Sequence, residues 1–177
     1  MSLEIIEKIR EKESLDLALE NALNKLKRAV KKRNDDLHLL SVVTVDDQNK
    51  PNTRNVVLRD FSIDNLTIRF HTDKRSSKIK DIKRNKAICL IGYDKKAKLQ
   101  IRIDADAYSI SDEETLLDIW KKMYPMSREC YRVSRSPGDK IESLNEVTFD
   151  KDDETNLIGF DNFAAIQCDI KTIEVLY

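Results

Sequence analysis

The sequence predicts a mainly β fold, an antiparallel barrel of six or more strands carrying a few helices. Three observations support this. From Leu37 to Ile110, runs rich in Val, Ile and Leu succeed one another with polar turns between them, and only one short helical stretch interrupts the series. Consecutive strands with isolated helices fit an antiparallel barrel better than a strand–helix–strand alternation. The chain has only three glycines in 177 residues, so its turns rest on Asn and Asp, which tolerate left-handed backbone.

In chain order, the first element is a helix from about Leu15 to Lys32, with Ser14 as its N-cap. Leu19, Ala22, Leu23, Leu26 and Val30 follow helical spacing, and Lys27, Arg28, Lys31 and Lys32 suit the negative end of the dipole. The basic cluster from Lys25 to Arg33 reads as a solvated helix end, because Glu20, Asp35 and Asp36 accompany it. Strands follow over Leu37–Val45, Thr53–Arg59 and Leu66–His71, with turns over Asp46–Asn52 and Asp60–Asn65. Leu66, Ile68 and Phe70 are expected to share a face. A short helix begins near Ser76 and ends between Asp81 and Lys86. Lys86–Tyr93 and Leu99–Ile110 then pair around Asp94-Lys95-Lys96.

A further helix starts at Ser111, where Ser111 and Glu114 form a capping box. Leu116, Leu117, Ile119, Trp120 and Met123 make its apolar face, and Tyr124-Pro125 stops it. Lys151-Asp152-Asp153-Glu154 reads as an acidic loop, and Phe163–Leu176 as the last strand. Residues 1–177 fit one domain with an N-terminal helical segment over about 1–34.

Composition narrows the function. With 32 basic and 32 acidic residues there is no global field to draw nucleic acid or an anionic membrane. No apolar run approaches the roughly 20 residues that span a bilayer. Met1–Lys8 alternates charge and lacks a signal-peptide core, so a cytoplasmic location is expected. Cys89, Cys130 and Cys168 show no CxxC spacing, and His38 and His71 are the only histidines, so neither a disulfide framework nor a metal site is expected.

The chemistry concentrates between Arg54 and Lys78. A strand carrying Arg54 and Arg59 precedes a helix start with Ser76, Ser77 and Lys78. Cations, hydroxyls and free backbone N–H groups at a helix N-terminus are the groups from which a phosphate cradle is built. The apolar residues between the two arginines could line a flat ring, and phosphate plus ring suggests a nucleotide-like cofactor. Blander readings stand beside each residue. Arg54 and Arg59 could be surface arginines, Ser76-Ser77 a plain cap, His71 a packed residue or a haem ligand, and Trp120 a core aromatic.

Arg54-Asn55-Val56-Val57-Leu58-Arg59, then Phe70-His71-Thr72-Asp73-x-Arg75-Ser76-Ser77-Lys78, then Gln100-Ile101-Arg102-Ile103 resemble the pyridoxamine 5'-phosphate oxidase-like family of FMN-binding split barrels. The resemblance covers about residues 37 to 141. It implies that Arg54 contacts the FMN phosphate, that the backbone of Val56, Val57 and Leu58 lines the isoalloxazine, and that Thr72, Ser77 and Lys78 surround the ribityl chain and phosphate. Asn55, His71 and Ser76 belong to the same cofactor motifs. The family often has Arg at the position of Ser77, and either Ser77 or Arg75 could fill that role. Gln100 would reach the flavin across a homodimer interface. Arg102 fits a salt bridge as well as a cofactor contact.

The substrate half of the motif differs. Trp120, Tyr124 and Arg128 fall where pyridoxamine phosphate oxidases carry a Tyr, an Arg and a Ser for the substrate phosphate, while Arg59 keeps a positive charge at a substrate-contacting position. Ser136-Pro137-Gly138 replaces a Gln-Ser pair that contacts FMN, and the family's later arginines have no counterpart before Tyr177. The implied function is a flavin-dependent oxidoreductase acting with a small-molecule substrate or electron donor, with no nucleic acid or membrane partner. The alternatives are a non-catalytic flavin carrier or sensor, and a haem- or deazaflavin-binding split barrel.

Overall fold

A computed structural model describes residues 3–150 and 157–177, with side chains from Ser14 onward. Six strands close into an antiparallel barrel: β1 (Leu39–Val45), β2 (Pro51–Ser62), β3 (Thr67–Asp73), β4 (Ala87–Asp94), β5 (Leu99–Ser109) and β6 (Phe163–Leu176), in the order β1-β2-β3-β6-β5-β4. The alternation seen in the sequence sets which face of each strand is inside. Leu40, Val42, Leu58, Ile68, Phe70, Leu90, Ile101, Ile103 and Ile166 are almost fully buried in one apolar core. Gly92 fits tightly against that core: a Cβ there would stand 2.6 Å from Leu40 Cδ2 and 2.8 Å from Leu37 Cδ2, so both leucine side chains would have to shift.

α1 (Leu3–Lys31) lays Ala22, Leu26 and Ala29 on the core. It starts well before Ser14, which is therefore a mid-helix residue and not an N-cap. The preceding segment Leu3–Glu13 is composed of strong helix formers, so nothing in it stops the helix. α2 (Ser77–Arg84) buries Ile79 and Ile82 in the barrel core, with Ser76 at its N-cap. α3 (Glu113–Lys122) is capped by Asp112, whose carboxylate accepts from the Thr115 N–H at 2.8 Å, one residue later than the expected Ser111 cap. Asp accepts this bond as well as Ser does, and the register decided between them. Pro125 does not simply end this helix; it opens a four-residue turn of helix, α4 (Pro125–Arg128).

Several strand boundaries also differ from expectation: Asp36–His38 forms a single 3-10 turn capped by Asp35, so β1 starts at Leu39, and β2 starts at Pro51, inside the expected turn. β2 continues through Asp60 to Ser62, and Leu66 stands outside β3 with a φ of 49°, about half exposed, in the turn that precedes it. Its left-handed backbone takes Leu66 off the face shared by Ile68 and Phe70. The β2–β3 register slips between Leu58 and Asp60, so Leu58 pairs with Phe70 and Asp60 with Arg69, leaving Arg59 as the extra residue of a bulge. A second core, built from Leu116, Trp120, Met123, Tyr131 and Phe163, packs α3 and the chain after it against the start of β6. The expected acidic loop at Lys151–Glu154 lies outside the described residues.

Candidate functional site

β2, β3 and α2 converge on a buried polar cluster. Thr72 ends the inward-facing row of β3, and the cap residue Ser76 and the helix residue Lys78 stand opposite it. The Lys78 ammonium donates to Thr72 Oγ1 at 2.8 Å and to Ser76 Oγ at 2.6 Å, and all three residues are buried. Lys78 makes no ion pair among the described residues; its direct partners are the two neutral hydroxyls. Burial first, and the nearby Arg54 charge second, push its pKa down to about 8, against the pull of Asp73 and Asp81.

Arg54 approaches the same cluster from β2. Its guanidinium donates to Thr44 Oγ1 and, at 3.0 Å, to the Asn52 carbonyl, and lies 3.7 Å from the Asp81 carboxylate. Thr44 in turn donates to Asp81 at 2.6 Å. Burial lowers the Arg54 pKa and Asp81 partly restores it. Ser77, the first residue of α2, is exposed, beside Asn52, Lys80 and Asp81 around a cavity of about 360 Å³. Arg75 turns elsewhere. It grips Asp73 with Nε at 3.0 Å and Nη2 at 2.7 Å, and donates to the Val133 and Ser134 carbonyls at 2.9 and 3.2 Å. The Asp73 bonds raise its pKa.

The outer face of β2 and β3 forms a second feature with α3. Arg59, Arg69 and His71 floor a cavity of about 440 Å³, and Val30, Ile119, Met123 and Tyr124 wall it, with Thr115, Asp118 and Lys122 at its edge. The bulge places Arg59 and Asp60 together on this outer face, which is how the backbone aims Arg59 here. The Arg59 Nε, the Arg69 Nε and both ring nitrogens of His71 are buried without a partner among the described residues. Burial, then the Arg59 and Arg69 charges, drive the His71 pKa down to about 3, so the imidazole is neutral. The His71 ring meets Phe163 edge-on at 5.0 Å.

Val56 and Leu58 point into the barrel, Val57 is half-buried, and Asn55 is exposed and accepts from Ser41 Oγ at 2.8 Å. Gln100 and Arg102 lie on β5, separated from β3 by β6, so a single protomer does not bring them to the cluster. Arg102 is paired with Glu174 at 3.1 Å and Asp104 at 3.2 Å. Trp120 is fully buried among Tyr131, Phe160 and Phe163, and Arg128 stacks over it while donating to the Lys121 and Met123 carbonyls at 3.0 and 2.9 Å. Tyr124 is exposed under the Arg33 guanidinium. Sequence reasoning missed Thr44, Asp81 and Arg69. An acid on the buried face of a short amphipathic helix was the signal for Asp81; the bulge that groups Arg59 with Arg69 has no signature in residue type.

Residues 19–111 match a family model described as pyridoxamine 5'-phosphate oxidase, FMN-binding domain. No curated protein matches the chain. Among solved structures, a pyridoxamine 5'-phosphate oxidase-related, FMN-binding protein of Nostoc punctiforme is similar with a TM-score of 0.70 at 22% identity, covering 90% of this chain and 82% of that one. PhzG of Burkholderia lata, solved with tetrahydrophenazine-1-carboxylic acid, is similar with a TM-score of 0.60 at 15% identity over 99% and 80% of the two chains. General stress protein 26 of Bacillus anthracis gives a TM-score of 0.54 at 16% identity over 88% and 93%. At these identities the likenesses establish the fold.

Proposed function

The chain belongs to the pyridoxamine 5'-phosphate oxidase family of FMN-binding domains, and from that premise we propose that it is an FMN-binding oxidoreductase with an altered substrate site. The observation that carries this reading is Lys78. A buried ammonium held, among the described residues, by two hydroxyls, with Arg54 beside it, is a donor set lacking its anion. A phosphate monoester leaving water needs several cations, hydroxyls and N–H groups, and this cluster offers all three.

In this reading Lys78 and Arg54 neutralise the FMN phosphate, Thr72 and Ser76 donate their hydroxyls to it, and Ser77 presents the first N–H groups of α2. The strand from Arg54 to Arg59 spans roughly 16 Å at ordinary strand rise, enough to carry a ribityl phosphate at one end and a ring at the other. The Val56–Leu58 backbone and His71 then border the ring. Bound FMN would supply hydride or single-electron chemistry. The chain's part is to hold the phosphate, shield the ring edge from water with the outer β2–β3 face and α3, and present Arg59 where a substrate enters.

Gln100 and Arg102 fit this scheme as contributions from the partner of a homodimer, a reading supported by exposed Tyr108, Leu176 and Tyr177 on β5 and the end of the chain. A cytoplasmic setting is part of the proposal and agrees with three free thiols. No helix among the described residues is long and apolar enough to cross a membrane. Arg128 is occupied by the carbonyls at the end of α3 and Trp120 by the core, so the B6 phosphate subsite lacks two of its expected groups.

The test combines spectrum, affinity and turnover. Purified protein should show an oxidised-flavin spectrum and not a haem or deazaflavin one. Lys78→Ala and Arg54→Ala should each cost on the order of 1.5–3 kcal/mol in FMN binding, about ten- to a hundred-fold. Riboflavin should bind poorly and be indifferent to both changes; equal losses for riboflavin would remove the phosphate assignment. Pyridoxamine 5'-phosphate should be oxidised far below an ordinary enzyme rate of about 10 s⁻¹. Reduction by NADH or NADPH followed by reoxidation would separate an enzyme from a flavin carrier.

A further inference from the structure

The cavity over Arg59, Arg69 and His71 has a charge balance that names its ligand. Arg69 is already paired with Asp60 at 2.9 Å, and Lys122 with Asp118 at 2.6 Å. Arg59 alone among these cations has no ion pair among the described residues, and its Nε is buried without a partner. Of the three cations that line the cavity, Arg59 is therefore the uncompensated one among the described residues.

His71 contributes a different demand. Both of its ring nitrogens are buried and unpartnered, which leaves a neutral imidazole with an N–H aimed at no acceptor among the described residues. An unsatisfied buried donor costs about 1–3 kcal/mol, so a ligand oxygen that accepts from it gains affinity by relieving that penalty. The walls from Val30, Ile119, Met123 and Tyr124 are apolar apart from the tyrosine hydroxyl, and about 440 Å³ accommodates a one- or two-ring molecule.

We propose that this cavity binds a small cyclic carboxylate, a monoanion and not a phosphate ester, with Arg59 on the carboxylate, the His71 N–H on one of its oxygens and the ring against the α3 wall. Arg69 positions the floor through Asp60 and sets the ring-side boundary. As the substrate class of the flavin site, this rests on the function proposed above; as a binding site it does not, because Arg54, Thr72, Ser76 and Lys78 are not part of the cavity lining.

Three probes of one shape and different charge decide the matter: benzoate, phenyl phosphate and benzamide. They are titrated calorimetrically into the cofactor-free and the FMN-loaded chain, above the second phosphate ionisation of about 6 so that phenyl phosphate is a dianion. Saturable benzoate binding at least tenfold tighter than either other probe is expected. Arg59→Gln should weaken benzoate about tenfold or more, with Arg59→Lys restoring most of it, and His71→Phe should weaken it severalfold. FMN affinity should be unchanged in Arg59→Gln.

Phenyl phosphate binding as tightly as benzoate, benzoate affinity indifferent to Arg59→Gln, or no saturable benzoate binding would each overturn the proposal. A chain that takes no FMN yet binds benzoate through Arg59 keeps the pocket assignment and removes the flavoprotein reading. Loss of FMN binding in Arg59→Gln would instead make Arg59 a cofactor residue and overturn the assignment of this cavity.

Discussion

Asp81 lies within 3.7 Å of Arg54 and accepts the Thr44 hydroxyl at 2.6 Å, so an acid from α2 sits inside the cluster that otherwise gathers positive charge. This carboxylate has two opposite effects. It steadies Arg54 and the α2–β1 contact in the free protein, and it cancels part of the field that an anion would feel.

Asp81→Asn separates them. The amide keeps a hydrogen bond to Thr44 but leaves the half-buried Arg54 without its countercharge, and breaking such a pair is destabilising. The expected loss is on the order of 1–2 kcal/mol, less than for a fully buried pair because Arg54 retains solvent contact. FMN affinity should rise about tenfold, or 1.4 kcal/mol. Thermal unfolding of the cofactor-free variant and a flavin titration measure the two effects; a fall in both would show that Asp81 acts only as a structural support.

Lys78 gives the site a pH dependence with a definite sign. Its folded pKa of about 8 lies below the ordinary 10.5, so the unfolded chain binds the proton more tightly. Between those two values folding stability gains with rising pH, and below about 8 the cost of burying the charge is fully present. A bound phosphate reverses this preference, because it favours the ammonium. FMN affinity should therefore decline above about pH 8, towards tenfold per pH unit, with one proton taken up on binding. Riboflavin should show no such slope, and Lys78→Ala should flatten that of FMN. A parallel slope for both flavins would mean that the titrating group lies beside the ring.

The barrel was legible because alternation along a strand is a local property. Ile68, Phe70 and Thr72 face inward as their spacing requires, and Phe163–Leu176 is the predicted last strand. Cap positions were less legible, since Ser111 and Asp112 are adjacent and equally able to accept the first N–H of α3; only packing selects the register. The site was half legible. Ser76 and Lys78 are neighbours in sequence, and their meeting with Thr72 follows from a strand turning into a helix. Thr44 and Asp81 meet across 37 residues, and Arg59 reaches Arg69 through a bulge, and neither arrangement is encoded in a short spacing.

Trp120 offers a test of core against substrate pocket. Its indole is fully buried beside Tyr131, Phe160 and Phe163, with ring centroids 5.4–5.7 Å away. Trp120→Ala should cost about 3–5 kcal/mol, and Trp120→Phe considerably less, because the cavity left behind is smaller. Denaturant melts measure this directly. Ligand affinities in the surviving folded Trp120→Phe protein should match the parent; a selective loss of small-molecule binding without a loss of stability would place Trp120 in the pocket wall.

Arg75 and Ser77 were alternative phosphate ligands, and the geometry separates their expected effects. Arg75 spends its donors on Asp73 and on the carbonyls of Val133 and Ser134, tying β3 to a distant segment. Arg75→Ala leaves the buried Asp73 carboxylate, among the described residues, with the residue 75 N–H alone and removes the donors to the Val133 and Ser134 carbonyls. The expected result is a stability loss on the order of 1–3 kcal/mol and faster proteolysis near residues 133–150, with FMN affinity in the folded fraction changed less than threefold. Ser77→Pro tests the other candidate, because proline is tolerated at the first position of a helix and removes one N–H. It should weaken FMN severalfold with little change in melting temperature. Reversal of this pattern, with FMN lost in Arg75→Ala and retained in Ser77→Pro, would mean that Arg75 swings from Asp73 to the phosphate when the cofactor binds.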